Sequence, residues 1–285
     1  MHIEPGVVEG AKIFLSYATA VAGLGLTVKL ARDSIRDNGG ALALALRSLI
    51  ASVLVFGFFE VLPHHPVGVS EVHLILGSTL LLLFGAGAAA IGLAVGLLIQ
   101  GLFFAQFDLP QYGMNVTTLL LPLWGIHLLA KRIIPARTAY VDTRYTQALA
   151  LSTAYQGGIV AWVAFWAFYG HGFSSDNLAS VGSFGLAYMS VVLLEPLIDL
   201  GVLAAAKASG TTVSAVAIND YAIKIPADDA RKFKVVVARL MDDKPMPVRD
   251  KGPLFVVYPF DSSADLRTST YYERSIWQLK ALDIQ

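Results

Sequence analysis

The sequence predicts an α-helical polytopic membrane protein of six to seven transmembrane helices, followed by a small soluble α+β segment. Hydrophobic residues make up 55% of the 285 residues and charged residues only 15%, and the mean hydropathy is +0.62. An average soluble domain is about a quarter charged. Charges are scarce over 11–206 and frequent over 219–285. We therefore predict a membrane domain at 1–208 and a soluble tail at 209–285.

The apolar stretches set the number of spans, since a helix needs about 20 apolar residues to cross a bilayer. Seven candidates follow one another along the chain: 11–30, 41–62, 72–86, 88–105, 113–130, 147–170 and 179–206. The third and fourth are short and joined by FGAGAAAIG. They form either a tight hairpin, which gives seven spans, or one long bent helix, which gives six.

Basic residues indicate the orientation, because cytoplasmic loops are enriched in Lys and Arg. They follow the first, fifth and seventh candidates: Lys29, Arg32, Arg36, Lys131, Arg132, Arg137, Arg144 and Lys207. The alternate loops 63–71, 106–112 and 171–178 have none. All basic loops lie on one side only if the chain crosses seven times, which predicts an outer N-terminus and a cytoplasmic tail.

Histidines are the principal candidate metal ligands, since the chain has no Cys. The topology places five of the six at the outer face, namely His2, His64, His65, His73 and His171. Neutral imidazole is a common ligand of transition metals. For any one of these residues, the alternative is a histidine that is merely solvated at the interface.

His2 differs from the others because of its place in the chain. A free terminal amine, the residue-2 amide nitrogen and the residue-2 imidazole form fused five- and six-membered chelate rings around one ion. A tetragonal nitrogen field of this kind suits Ni²⁺ or Cu²⁺, and Co²⁺ as well. We expect Met1 to be retained, since its removal usually needs a small second residue and no signal peptide precedes Lys12. The fourth ligand is His73, with His64 and His65 as alternatives.

Several stretches resemble a known family. MHI with a nearby Gly, SEVHLILGS at 70–78, the Gly-rich span and YGMNVTTLLLP at 112–122 are similar to the CbiM/NikM family. These proteins are substrate-binding components of energy-coupling-factor transporters for cobalt and nickel. The resemblance covers about 1–208.

The resemblance implies a site and a set of partners. The ligands are the Met1 amine, the amide and imidazole of His2, and His73, with Asn115 supporting the N-terminal loop. The substrate is Co²⁺ or Ni²⁺. The partners are a transmembrane coupling subunit, two cytoplasmic ATPase subunits and, as an open further partner, a small accessory membrane subunit. The implied location is the bacterial cytoplasmic membrane, with lipid around the chain and no nucleic-acid partner.

Two departures from the family pattern concern the same region. The family usually opens Met-His-Ile-Pro-Glu-Gly, whereas here Glu4 precedes Pro5 and Gly6 is retained. The family often has His where this chain has Gln106. The choice between cobalt and nickel therefore stays open at the level of sequence.

Residues within the spans give two further expectations. Gly92 and Gly96 form a G-x-x-x-G pattern, typical of close helix packing. Arg47, Glu195 and Asp199 are ionisable groups inside apolar segments, where unpaired charges are costly. Arg47 and Asp199 lie at similar depth, and we predict a structural pair between them, with a proton relay as the alternative.

The tail has short β-type runs bounded by turn residues, such as AVAINDYAIKIP and KGPLFVVYPFD. The runs NDYAIKIP, DDKPMPVRDKGPLFVVYPFD and YYERSIWQLKALDI resemble the C-terminal part of small molybdopterin-dependent oxidoreductases of the sulfite-oxidase fold. The usual molybdenum-ligating Cys is absent and only part of that domain is matched, so we expect no pterin and no activity. The tail is either a fused segment or a degraded domain, and the sequence leaves both explanations open.

The sequence is consistent with three functions. The leading one is a non-enzymatic subunit that captures a divalent cation outside, with ATP hydrolysed by partners because the chain lacks the motif G-x-x-x-x-G-K-[ST]. The second is a membrane anchor of a molybdopterin-type oxidoreductase. The third is a helical membrane protein whose histidines are structural and bind no ion tightly.

Overall fold

A computed structural model describes residues 2–37, 39–136, 138–208 and 212–284. The chain forms two compact units, Met1–Ala205 and Ala206–Gln285. Met1, a predicted metal ligand, and Arg137, a basic residue of a predicted cytoplasmic loop, lie outside the described residues.

The first unit is helical. Its elements are α1 (Ile13–Asp37), α2 (Gly40–Glu60), the hairpin β1 (His65–Val67) and β2 (Ser70–Val72), α3 (Gly77–Phe84), α4 (Ala86–Phe103), α5 (Tyr112–Ile133), α6 (Tyr145–His171) and α7 (Ser175–Ala208). A 3₁₀ helix at Gln106–Gln111 joins α4 to α5. Within the described ranges, six helices are long and apolar enough to cross a membrane. The predicted class of six to seven transmembrane helices is confirmed.

The third predicted span, 72–86, is wrong as a transmembrane helix. This stretch contains the end of the hairpin, an irregular segment at 73–76, and α3, which has only 8 residues. The apolar run of α3 satisfies a hydropathy pattern, but the helix is too short to cross the bilayer by itself, and most of it is buried among the other helices. Composition does not distinguish a buried short helix from a span.

Packing nevertheless requires the chain to cross seven times. α2 and α4 run parallel, because their contacts follow the same order along both helices. Gly92 packs on Ala51, and further along both helices the Gln100 side chain reaches the Phe59 carbonyl. The end of α2 and the start of α4 therefore lie at opposite ends of the bundle. The segment from the hairpin through α3 makes the return crossing.

The basic residues consequently gather at one end of the first unit. α1 runs antiparallel to α4, because Gly87 near the start of α4 lies against the Leu30 carbonyl near the end of α1. Arg36 and Lys131 lie in the last turns of α1 and α5, at that same end, and His2 lies at the opposite end. The positive-inside rule predicts that the His2 end is the outer one.

Gly92 allows α2 and α4 to approach closely. A Cβ added at Gly92 would lie 2.5 Å from the Ala51 Cβ and 2.9 Å from its carbonyl carbon. We predict that Gly92→Ala lowers the stability of the purified chain by about 1–3 kcal/mol, as overpacking usually does. The measurement is thermal unfolding in detergent. Gly25→Ala is the matched control, since its Cβ would meet nothing within 4 Å, and equal effects at the two positions would contradict the packing.

The predicted Arg47–Asp199 pair is replaced by other contacts. Arg47 donates to the carbonyls of Ala43 and Phe84. Asp199 accepts hydrogen bonds from the hydroxyls of Ser78 and Thr79, and among the described residues no ion pair joins it to Arg47. Similar depth in the bilayer did not bring the two side chains together, because α3 supplies hydroxyl donors to the carboxylate.

The second unit is a small mixed fold. Its elements are β3 (Thr212–Ala217), β4 (Ala222–Pro226), α8 (Ala227–Lys232), β5 (Val236–Ala238), β6 (Leu240–Met241), β7 (Lys244–Pro245), β8 (Phe255–Val257), α9 (Ser269–Arg274) and β9 (Leu279–Ile284). β3 is the central strand of an antiparallel sheet in the order β4-β3-β9. Buried side chains including Ile225, Tyr258 and Leu266 form its core.

A buried carboxylate also holds the second unit together. Asp229 accepts hydrogen bonds from the Tyr258 hydroxyl, at 2.6 Å, and from Arg274, at 2.9 Å. With its own core and this pair, the segment 206–285 is expected to unfold cooperatively when expressed alone, as followed by circular dichroism. A gradual, non-cooperative loss of signal would instead support the degraded-domain alternative. The predicted relation of the tail to a partial pterin domain stays a prediction.

Candidate metal site

The N-terminal segment lies against the hairpin as an added extended strand. Ile3 forms a bridge with Ser70, and the His2 carbonyl accepts hydrogen bonds from the Glu71 amide, at 2.9 Å, and from the Ser70 hydroxyl, at 2.8 Å. On the opposite side, the Ile3 amide donates to the Asn115 Oδ1 at 2.8 Å. These bonds fix the backbone of residues 2 and 3 between the hairpin and α5.

His2 is buried with one ring nitrogen engaged. Its Nε2 lies 2.8 Å from the Gln100 Oε1. The Gln100 amide nitrogen faces the Phe59 carbonyl and the Glu60 carboxylate, so Gln100 presents its oxygen to His2. An amide oxygen can only accept, which puts the proton on Nε2 and leaves a lone pair on Nδ1.

His73 has the same arrangement. Its Nε2 lies 2.8 Å from a Glu71 carboxylate oxygen, which accepts the Nε2 proton. Burial lowers the pKa of His73 well below its usual value, and the neighbouring His2 and His64 lower it further. A neutral ring with a carboxylate on its far nitrogen is the usual state of a metal-ligating histidine.

The two Nδ1 atoms are both buried and, in the part of the chain that the structure describes, neither makes a hydrogen bond, although the His2 Nδ1 lies 2.8 Å from an Asp108 carboxylate oxygen. The ring centroids of His2 and His73 lie 5.5 Å apart. Ligand atoms of His2, Glu71 and His73 all fall within 4.8 Å of one another. Because unpartnered buried nitrogens are rare in native structures, this pair has the chemistry of a metal site.

The other candidate ligands lie around the pair without forming such a group. His64 stacks on His73 with ring centroids 4.9 Å apart, while His65 is exposed on β1. His171 donates from Nε2 to the Gly6 carbonyl at 2.9 Å. Asn115 accepts a hydrogen bond from the Ile3 amide, and the Met1 amine lies outside the described residues.

The two departures from the family pattern have different positions. Gln106 is exposed and bonds back to the Leu102 carbonyl. Glu4 is half-buried, and its pKa is raised by burial and by the carboxylates of Glu71 and Asp108. Glu4 therefore belongs to an acidic surrounding of the histidine pair, which favours cations.

Sequence reasoning missed three side chains near the histidines: Glu71, Gln100 and Asp108. Gln100 could have been noticed, since it is the only polar side chain of α4. Glu71 precedes His73 by two positions, the period at which residues of an extended segment share a face. Asp108 follows an apolar segment in a loop and gave no signal of its own.

Comparison with protein families gives one match. The family described as the cobalt uptake substrate-specific transmembrane region, CbiM, matches residues 2–212. The chain belongs to the CbiM family. The comparison with curated proteins gave no match.

Two solved structures share the CbiM fold. One, described as a transition metal transporter, matches with a TM-score of 0.56 and 15% sequence identity. The match covers 73% of this chain and 93% of the transporter chain. The other, described as a truncated transition metal transporter, matches with a TM-score of 0.52 and 16% sequence identity. The match covers 71% of this chain and 96% of the truncated transporter chain.

Family membership and the six apolar helices establish a multi-pass membrane protein of metal transport. It is a transport protein and not an enzyme. The suggested anchor of a molybdopterin-type oxidoreductase is therefore not the function of the membrane unit.

Proposed function

We propose that the chain is the substrate-binding subunit of an energy-coupling-factor transporter that imports Co²⁺ or Ni²⁺ across the bacterial cytoplasmic membrane. The single observation that supports this most is the buried pair of Nδ1 atoms on His2 and His73, neither of which makes a hydrogen bond. Their Nε2 atoms are held by Gln100 and Glu71, which leaves a lone pair on each Nδ1.

The proposed ligand set is the Met1 amine, the His2 amide nitrogen, and the Nδ1 atoms of His2 and His73. The His2 amide fits this role, since among the described residues it donates to no acceptor. Chelation through the amine, the amide and Nδ1 of one residue pair forms the fused rings that a tetragonal ion favours. Asn115 and Ser70 support the site through the backbone of residues 2 and 3.

Energy has to come from partner proteins in this proposal. The sequence has no phosphate-binding G-x-x-x-x-G-K-[ST] motif, so the chain requires two cytoplasmic ATPase subunits and a membrane coupling subunit. A small accessory membrane subunit completes the proposed assembly. The His2 site at the outer end of the bundle suits capture from outside.

An uptake experiment tests this function. Cells without high-affinity Ni²⁺ or Co²⁺ uptake of their own would express the chain with a coupling subunit and two ATPases of the same family. We expect accumulation of radioactive metal that is lost with His73→Ala or without the ATPases, and kept with His65→Ala, an exposed histidine of the same face. Accumulation that persists in His73→Ala, or without the ATPases, would contradict the proposal.

A further inference from the structure

A cavity lies at the basic end of the helical bundle, opposite the end that holds His2. It has a volume of about 230 Å³ and is found where α1 and α5 end and α4 begins, with walls from all three helices. The ends of membrane-spanning helices lie at the depth of the lipid headgroups. The cavity is therefore placed in the polar layer of one leaflet.

Ser34 of α1 is a buried hydroxyl that lines this cavity. The residue is only 4% exposed. Its side chain makes no hydrogen bond with any residue of the described ranges, whereas Thr27 on the same helix bonds back to the Gly23 carbonyl. A buried polar group that makes no hydrogen bond within the protein needs an explanation, and a ligand in the cavity supplies one.

Further hydrogen-bond donors surround the Ser34 hydroxyl. α4 begins at Ala86, which also lines the cavity, and no side chain caps the first amides of this helix. The Ser34 Oγ lies next to them, 2.9 Å from the position that a Cβ would take on Gly87. Lys131 lines the cavity as well and, in the part of the chain that the structure describes, pairs with no carboxylate. A hydroxyl, an ammonium group and an uncapped helix N-terminus are together suited to a phosphate group.

Carboxylates line the same cavity. Asp33 and Asp37 each contact the exposed Arg36, at 3.7 and 3.2 Å. Arg36 approaches one oxygen of each carboxylate, so further acceptor positions remain on both. The cavity thus offers donors for a phosphate and acceptors for an ammonium group, a combination that suits a zwitterion.

The adjoining surface of α5 is apolar. Trp124, His127, Leu128 and Lys131 have the spacing i, i+3, i+4 and i+7, so they share one face of the helix. Trp124 and Leu128 are 40% and 42% exposed, and they lie deeper in the bilayer than Lys131, which is in the last turn. Acyl chains packed on these two side chains would leave their headgroup beside Lys131, at the cavity.

We propose that the cavity binds the headgroup of a zwitterionic phospholipid with a primary ammonium group, of the phosphatidylethanolamine type. The phosphate accepts hydrogen bonds from Ser34, Lys131 and the first amides of α4, and the ammonium group donates to Asp33 and Asp37. The bound lipid joins the ends of α1 and α5 to the start of α4. The inference is independent of the proposed function, since the site lies at the opposite end of the bundle from His2.

The test is native mass spectrometry of the purified full chain in detergent, with phosphatidylethanolamine, phosphatidylcholine and phosphatidylglycerol of identical acyl chains. We expect one phosphatidylethanolamine per chain, bound at least about tenfold more tightly than the other two, the contribution of one charge-assisted hydrogen bond. The choline group has no N–H to donate, and the glycerol headgroup has no ammonium. Equal affinity for the three lipids would overturn the proposal. Equally tight binding of free phosphoethanolamine would also overturn it, because that molecule has no acyl chains.

Variants separate the two halves of the headgroup site. Lys131→Ala should weaken phosphatidylethanolamine binding about tenfold, and Ser34→Ala should weaken it as well. The double variant Asp33→Asn with Asp37→Asn should lose the preference over phosphatidylcholine. Arg132→Ala is the matched control, since it removes the neighbouring exposed charge, which does not line the cavity.

These variants are expected to unfold at the temperature of the unmodified chain when no lipid is added, because Lys131 and the two aspartates lie at the surface and Ser34→Ala removes a single hydroxyl. Lys131→Ala that binds the lipid as tightly as Arg132→Ala would overturn the phosphate position. A preference for phosphatidylethanolamine that persists in the double aspartate variant would overturn the ammonium position.

Discussion

Replacing His2 by alanine is expected to abolish tight binding of Ni²⁺ and Co²⁺. The variant loses the ring nitrogen that closes the six-membered chelate, and it leaves Gln100 facing a cavity. Changes to outer-shell partners alone commonly weaken metal binding 10–100-fold, so loss of a ligand should raise the dissociation constant by more than about a hundredfold. The measurement is competition with a coloured chelator at neutral pH.

The fold of the His2→Ala variant is expected to survive. The backbone bonds of residues 2 and 3 to Glu71, Ser70 and Asn115 do not involve the imidazole. His65→Ala serves as the matched control, since that ring is exposed on the same face. Binding by His2→Ala at the affinity of the control would contradict a ligand role for His2.

Replacing Glu195 by alanine is expected to weaken metal binding although Glu195 touches no proposed ligand. Its carboxylate accepts hydrogen bonds from the backbone amides of Ile75 and Leu76, at 2.8 and 2.7 Å, two and three positions after His73. Leu76 has a φ of 56°, a conformation unfavourable for leucine. Each buried amide left without an acceptor costs about 1–3 kcal/mol, so the 73–76 segment should rearrange and displace His73.

We expect the Ni²⁺ and Co²⁺ dissociation constants of Glu195→Ala to rise about 10–100-fold, the range for outer-shell partners. The dissociation constants of Glu195→Gln should lie between those of the unmodified chain and those of Glu195→Ala, because one oxygen remains to accept a hydrogen bond from an amide. Leu194→Ala is the control for α7, since that side chain is half exposed on the same helix. If Glu195→Ala bound both ions as tightly as Leu194→Ala, the segment would not depend on this carboxylate.

The sequence anticipated the helical membrane class and the end of the bundle at which the basic residues gather. Hydropathy located all six long helices, and the basic residues after α1, α5 and α7 identified their common end. The third crossing was predicted as a transmembrane helix, which is wrong, because GSTLLLLF in α3 has the composition of a span. What makes it a short buried helix is Tyr155, packed on Gly77, together with the carboxylates of α7, and these are contacts between distant parts of the chain.

The candidate site was foreseen in part. Chelate chemistry singled out His2, and topology placed His73 on the same face, so both histidines followed from the sequence. Gln100, Glu71 and Asp108 did not, because their roles depend on tertiary distances that no spacing reveals. The expected Arg47–Asp199 pair failed for the same reason, since depth along two helices says nothing of which faces meet.

The measurement that tests the account most directly is calorimetric titration of Ni²⁺ and Co²⁺ into the full chain, once mass spectrometry has shown a free Met1 amine. The same titration is made on a chain whose Met1 amine has been acetylated. We predict one ion bound per unmodified chain, and loss of tight binding in the acetylated one, because its residue-1 nitrogen is an amide. Equal binding by both chains would contradict a site built on the terminal amine and His2.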